Sequence, residues 1–132
     1  MRLTDARLLD AMVSPGCFLD GNVWLSKCVV GPWTYIGESV HMANTLVHGH
    51  QKPQCKDEYM LERRTHGAAR GIGRGSVLRR VIVGWDACIG EGVLLVNKAG
   101  VEYLDRSEDG FVVRDGVIVV LKGAVIPDGF KF

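Results

Sequence analysis

Residues 89–132 read IGEGVLLVNKAGVEYLDRSEDGFVVRDGVIVVLKGAVIPDGFKF. Small aliphatic residues stand at one position and again four residues later: Ile89 with Val93, Leu95 with Ala99, Val120 with Ala124, while Ile126, Phe130 and Phe132 keep the same beat. Strict β-alternation would turn every second residue inward, whereas these positions recur at six-residue intervals. That is the register of short flat strands joined by tight corners. The expected fold class is therefore all-β, a left-handed parallel β-helix: a triangular solenoid of hexapeptide repeats.

Working outward, corners fall at Val13, Leu19, Leu25, Val30, Ile36 and Met42, with Cys17, Val23, Val29, Thr34, Val40 and Leu46 four residues on as inward partners. One step, from Leu25 to Val30, is a residue short. The rhythm returns at Ile72, Leu78, Val83, Ile89 and Leu95, with Ser76, Ile82, Ala87, Val93 and Ala99 as partners and the short step at the same place. Val30-Gly31 and Ile36-Gly37-Glu38 match Val83-Gly84 and Ile89-Gly90-Glu91. Counting five corners between the copies, which is not a multiple of three, predicts that they do not lie on the same face. With the third stretch the count reaches about five turns of roughly 18 residues, about 24 Å of prism at ~4.8 Å per turn.

The beat stops in two places. Between His48 and Arg70 the sequence is polar, charged and broken by Pro53, so an excursion loop is expected over about 49–70, with a short helix over Asp57 to Arg64 between Pro53 and Gly67. A second excursion is expected over Gly100 to Gly110. Loops on a solenoid carry contacts, which makes both the first places to look for a ligand or partner.

The 132 residues read as one domain with no room for a second, catalytic one, and can bury roughly two thirds of their unfolded surface. Sixteen Lys plus Arg against fifteen Asp plus Glu leave a net charge of +1, which gives no general field for nucleic acid or an anionic membrane. The longest apolar runs, such as Val117 to Leu121, fall far short of the ~20 residues that cross a bilayer. Cys17, Cys28, Cys55 and Cys88 form no C-x-x-C pair and read as reduced thiols, Cys17 at an inward position. After Met1 the sequence shows no apolar signal segment and no Ser/Arg-rich transit segment before the repeats begin near Ala6, so either the chain needs no address or its true N-terminus is missing.

Gly71-Ile72-Gly73-Arg74-Gly75-Ser76 lacks the third glycine and the following helix of a dinucleotide loop, so it reads as a corner. His41, His48, His50 and His66 share no ligand spacing and read as exposed. Glu108-Asp109-Gly110 has turn chemistry rather than that of an acid/base dyad. Lys98, Arg106, Arg114 and Lys122 punctuate an apolar stretch. A guanidinium fork with an ammonium suits a phosphate or carboxylate, although a solvated face is the plainer account from spacing alone.

The ending DRSEDGFVVRDGVIVVLKGAVIPDG, with its acidic turn, Gly-aromatic pair, basic residue before x-Gly, Val/Ile run, Lys and Ile-Pro-x-Gly, resembles the C-terminal β-helix domain of ADP-glucose pyrophosphorylase (glucose-1-phosphate adenylyltransferase), closest to the plant and cyanobacterial type. SKCVVGPWTYIGESVHMANTLVHG is similar to that family's first coil segment, so the likeness runs nearly end to end. It implies a regulatory and oligomerisation domain whose catalytic nucleotidyltransferase partner, with its Mg²⁺, is absent from this chain, so that no cofactor is expected here. It also implies partners: catalytic domains or subunits in a homo- or hetero-oligomer, and anionic effectors such as 3-phosphoglycerate and phosphate. Lys122 matches the family's effector-binding lysine, and Arg114 and Arg106 are carried over after it as anion-site residues. The family's acidic, tyrosine-rich loop opening is replaced by Gln51, Lys52, Pro53 and Gln54, and Trp85 stands where a second effector lysine is common. The implied compartment is the plastid stroma for a plant or algal source and the cytoplasm for a bacterial one. Two other classes stay open: a free-standing hexapeptide acyltransferase using His41 or His48 as base, and a purely structural assembly module.

Overall fold

The computed structural model describes residues 2–3 (main chain only), 6–50 and 71–132. Most of the first excursion, including the helix expected over Asp57 to Arg64, lies outside the described residues. Elsewhere the chain winds through three faces of parallel strands. Face A stacks Arg2–Leu3, Phe18–Leu19, Tyr35–Ile36, Gly71–Ile72, Cys88–Ile89 and Val125–Ile126. Face B stacks Arg7–Leu9, Trp24–Ser26, His41–Ala43, Val77–Arg79 and Leu94–Leu95. Face C stacks Met12–Val13, Val29–Val30, Leu46–Val47, Val81–Val83 and Val117–Val120, and continues antiparallel into Phe111–Arg114 and Tyr103–Arg106.

Each face contributes one inward ladder. Leu19, Ile36, Ile72, Ile89 and Ile126 line face A; Leu25, Met42, Leu78 and Leu95 line face B; Val30, Val47, Val83 and Val120 line face C, all buried. Complete burial of such a side chain contributes about 1.5–3 kcal/mol, so the stacked ladders are the main stabilising term. The polar intruders are satisfied: Thr34 Oγ1 donates to the Gly31 carbonyl (2.9 Å), Thr45 Oγ1 to Ala43 (2.9 Å) and Ser76 Oγ to Gly90 (2.9 Å).

A turn takes 17 residues rather than 18, since Leu19 lies beside Ile36, Leu25 beside Met42 and Val30 beside Val47. The lost residue is at the corner from face B to face C. There a single residue in the left-handed region reverses the chain: Asp10 (φ 52°), Lys27 (53°), Asn44 (52°), Arg80 (53°) and Asn97 (50°). This tight corner corrects the expected partners. Val29 and Leu46 point outward, 43% and 36% exposed, and Cys28 and Thr45 take the inward places; likewise Val81, not Ile82, is buried, and Ala99 is exposed. Asn and Asp tolerate left-handed backbone better than Lys does. Lys27→Asn is therefore expected to stabilise the fold by about 0.5–1 kcal/mol, read as a raised denaturant midpoint at unchanged slope.

The two copies do share faces, against expectation. Val30 and Val83 both belong to face C, and Ile36 and Ile89 to face A. Val47 is the corner the periodicity missed: it completes six corners, two full turns, and the excursion begins directly after it. Gly71 to Ser76 behaves as read, a strand and a corner. Among the aromatics, Trp24 is 47% exposed, whereas Tyr35 is buried, stacked on Phe18 at 5.4 Å with its hydroxyl donating to Asp20 (3.1 Å).

The second excursion is larger than expected and is ordered as strands. Tyr103–Arg106 pairs antiparallel with Phe111–Arg114, which pairs antiparallel with Val117–Val120. A 3₁₀ turn over Ser107–Asp109 closes at Gly110 (φ 95°), and Asp115-Gly116 (φ 51° and 78°) makes the two-residue hairpin connection. Phe111 and Val113 point into the coil and are fully buried. Phe111 meets Phe130 and Phe132 edge-on at 5.6 and 5.2 Å, so the hairpin closes the end of the prism.

Candidate functional site

Lys122 sits at the last corner between faces C and A, two residues after the inward Val120, and is exposed. Main-chain bonds fix its position: Gly123 N–H donates to the Trp85 carbonyl (2.8 Å) and Leu121 N–H to Gly110 (2.9 Å). The turn beneath comes so close that a Cβ on Gly84 would meet the Lys122 nitrogen at 2.8 Å and the Val120 oxygen at 2.9 Å. Glycine at 84 is thus a condition for seating this corner. Trp85, 37% exposed, lies on the adjacent turn, its ring 6.0 Å from that of His48. An indole next to an imidazole thus fills the position.

Lys122 borders an open cleft of about 480 Å³ that is also lined by the 3₁₀ turn with Glu108 and Asp109 and by Phe130. Arg106 reaches the same end of the hairpin, with two of its nitrogens engaged. Nε and Nη2 lie 2.8 and 2.7 Å from Asp109 Oδ2, and the guanidinium sits 5.2 Å from the Phe111 ring centre and 5.8 Å from that of Phe130. In this arrangement Arg106 neutralises one of the two carboxylates facing Lys122 and ties the turn to the end of the coil.

Arg114 is at the opposite end of its strand. It pairs with Tyr103 and Val117, three residues from Phe111, which lies across from Val120, a separation of about 10 Å at strand rise. One Nη donates to the Val113 carbonyl (3.1 Å). Beside it the Tyr103 hydroxyl donates to Asp115 (2.6 Å), and that bond holds the phenol in its neutral form and raises its pKa. Lys122 thus lines the cleft, Arg106 stands behind it through Asp109 and Phe130, and Arg114 is set apart.

The histidines are dispersed. His41 stacks on Trp24 on face B, His48 lies by Trp85, and His66 is outside the described residues. His50 corrects the expectation of exposure: it is 2% exposed, with Nδ1 3.6 Å from Asp86. Among the described residues no group of three or more His, Cys, Asp or Glu is placed to hold a metal ion. Cys17 and Cys28 are buried free thiols, and burial raises the pKa of both.

Three parallel faces, a 17-residue turn and a closing hairpin define a parallel β-helix domain. The family described as the GLGC left-handed parallel beta-helix domain matches residues 1–130, and the chain belongs to it. This is the C-terminal β-helix domain of ADP-glucose pyrophosphorylase, and the coil is left-handed.

Proposed function

We propose that the chain is the regulatory and assembly domain of a glucose-1-phosphate adenylyltransferase, the enzyme that joins ATP and glucose 1-phosphate into ADP-glucose and diphosphate for starch or glycogen synthesis. The chemistry and its Mg²⁺ belong to the nucleotidyltransferase domain, and phosphoryl transfer depends almost wholly on positioning by that domain. Purified chain given ATP, glucose 1-phosphate and Mg²⁺ is expected to release no pyrophosphate.

One observation supports assembly most strongly. The outward ladder of face C runs Met12, Val29, Leu46, Ile82, Val119, apolar at every step, with the first three 70%, 43% and 36% exposed. A continuous apolar strip on a flat sheet is the surface that a docked domain or subunit covers. Leu46→Asp, at a position already facing water, is expected to leave the fold intact and to weaken association with the catalytic domain at least tenfold, measured by light scattering on mixtures. Undiminished association would remove face C from the interface. Support for regulation is the free Lys122 ammonium at the mouth of the corner cleft, with one facing carboxylate neutralised by Arg106.

A further inference from the structure

Face B carries a second groove, of about 390 Å³, one corner away from the face C ladder and sharing no lining residue with the Lys122 cleft. One wall is a stack along the coil axis: the Arg7 guanidinium 4.7 Å from the Trp24 ring centre, and the Trp24 and His41 rings 5.6 Å apart and within 6° of parallel. The other wall is the ladder Leu9, Ser26, Ala43, Arg79, whose small middle members leave the trough open. The described residues lining it include two arginines and no carboxylate. Leu9 is 65% and Trp24 47% exposed, so apolar surface lies open between the two cations.

We infer that this groove docks an extended segment of a partner protein that presents an acidic residue, an apolar residue two positions on, and a second acidic residue two further on. The stack decides against a sugar ring or a nucleobase. Arg7 covers one face of the indole and His41 the other, so only its edge faces the groove. The spacing decides against a small diacid or phosphosugar. Arg7 and Arg79 are three strands apart along the axis and two residues apart across it, roughly 16 Å between Cα positions. Residues i and i+4 of an extended chain span about 13–14 Å, and their side chains bridge the remainder. In that chain residues i, i+2 and i+4 face one side, which sets carboxylates on Arg7 and Arg79 and the apolar side chain over Ser26 and Ala43.

The probe is the peptide acetyl-Glu-Ser-Leu-Ser-Glu-amide, titrated into labelled protein while the Trp24 indole N–H resonance is followed, assigned by its loss in Trp24→Phe. A saturable shift is expected, absent when both peptide glutamates are glutamine, and about tenfold weaker in Arg7→Gln or Arg79→Gln, the size of one charge-assisted contact. Both exchanges are at exposed side chains, and an unchanged melting temperature verifies the fold. No shift up to about 10 mM peptide, equal shifts with the glutamine peptide, or equal binding when the peptide leucine is serine would each overturn the inference. The titration needs neither the catalytic domain nor an effector, so its failure leaves the proposed function standing.

Discussion

Replacing Phe111 by alanine is expected to destabilise the chain by about 3–5 kcal/mol, the usual cost of deleting a fully buried aromatic ring. Phe111 is 0% exposed and does three things at once. It fills the coil's end through edge contacts with Phe130 and Phe132, it gives Arg106 a ring to cover, and it carries the strand that pairs with Val117–Val120. A solenoid needs its terminal turn covered, so the loss should be felt well beyond the hairpin. Urea unfolding followed by circular dichroism measures it, with outward-facing Val112→Ala as the control. A loss under about 1 kcal/mol would show that the hairpin is an appendage rather than the cover of the prism.

The second large effect is expected at Lys122. Its alanine variant should bind 3-phosphoglycerate and phosphate roughly ten- to a hundredfold more weakly, the loss of one charge-assisted contact of about 1.5–3 kcal/mol. Calorimetry on the full enzyme carrying the substitution decides it. Arg106→Gln separates two roles that proximity alone would merge. If Arg106 only neutralises Asp109 and braces Phe111 and Phe130, the variant loses stability and binds anions a few-fold more weakly at most; a loss equal to that at Lys122 would make it a ligand. Because Arg114 stands about 10 Å along the strand, Arg114→Gln is expected to leave affinity unchanged.

The six-residue beat was legible because inward positions of a narrow prism tolerate only small or aliphatic side chains, and Leu19, Leu25, Ile36, Ile72 and Ile89 satisfy that rule in order. Val47 was missed since Leu46 beside it fits the beat equally well and the excursion then ends the pattern. The left-handed corners at Asn44 and Asn97 were the available clue, as Asn favours that backbone and these two stand in step with the short interval. Asp115-Gly116 between FVVR and VIVV is a strong hairpin signal and would have extended the second excursion to its true length. Other features have no local signature. The engagement of Arg106 depends on Phe130, the burial of His50 on the turns around it, and the stacking of Arg7, Trp24 and His41 on a 17-residue period that only the closed coil brings into contact.

Of the candidate site, Lys122 stood out from the other basic residues only through family resemblance, since its cleft is assembled from a hairpin turn and a corner that are distant in sequence. No helix among the described residues is long and apolar enough to cross a membrane.

Thermal unfolding of the purified chain with 3-phosphoglycerate, with phosphate, and separately with acetyl-CoA distinguishes an anion-binding regulatory coil from an acyltransferase. An anionic effector held at about a hundred times its dissociation constant adds about 2.7 kcal/mol to stability, on the order of 5–10 °C in Tm for a domain of this size. 3-Phosphoglycerate and phosphate are expected to raise Tm, the rise is expected to disappear in Lys122→Ala, and acetyl-CoA is expected to have no effect. A rise with acetyl-CoA and none with 3-phosphoglycerate or phosphate would contradict the regulatory role.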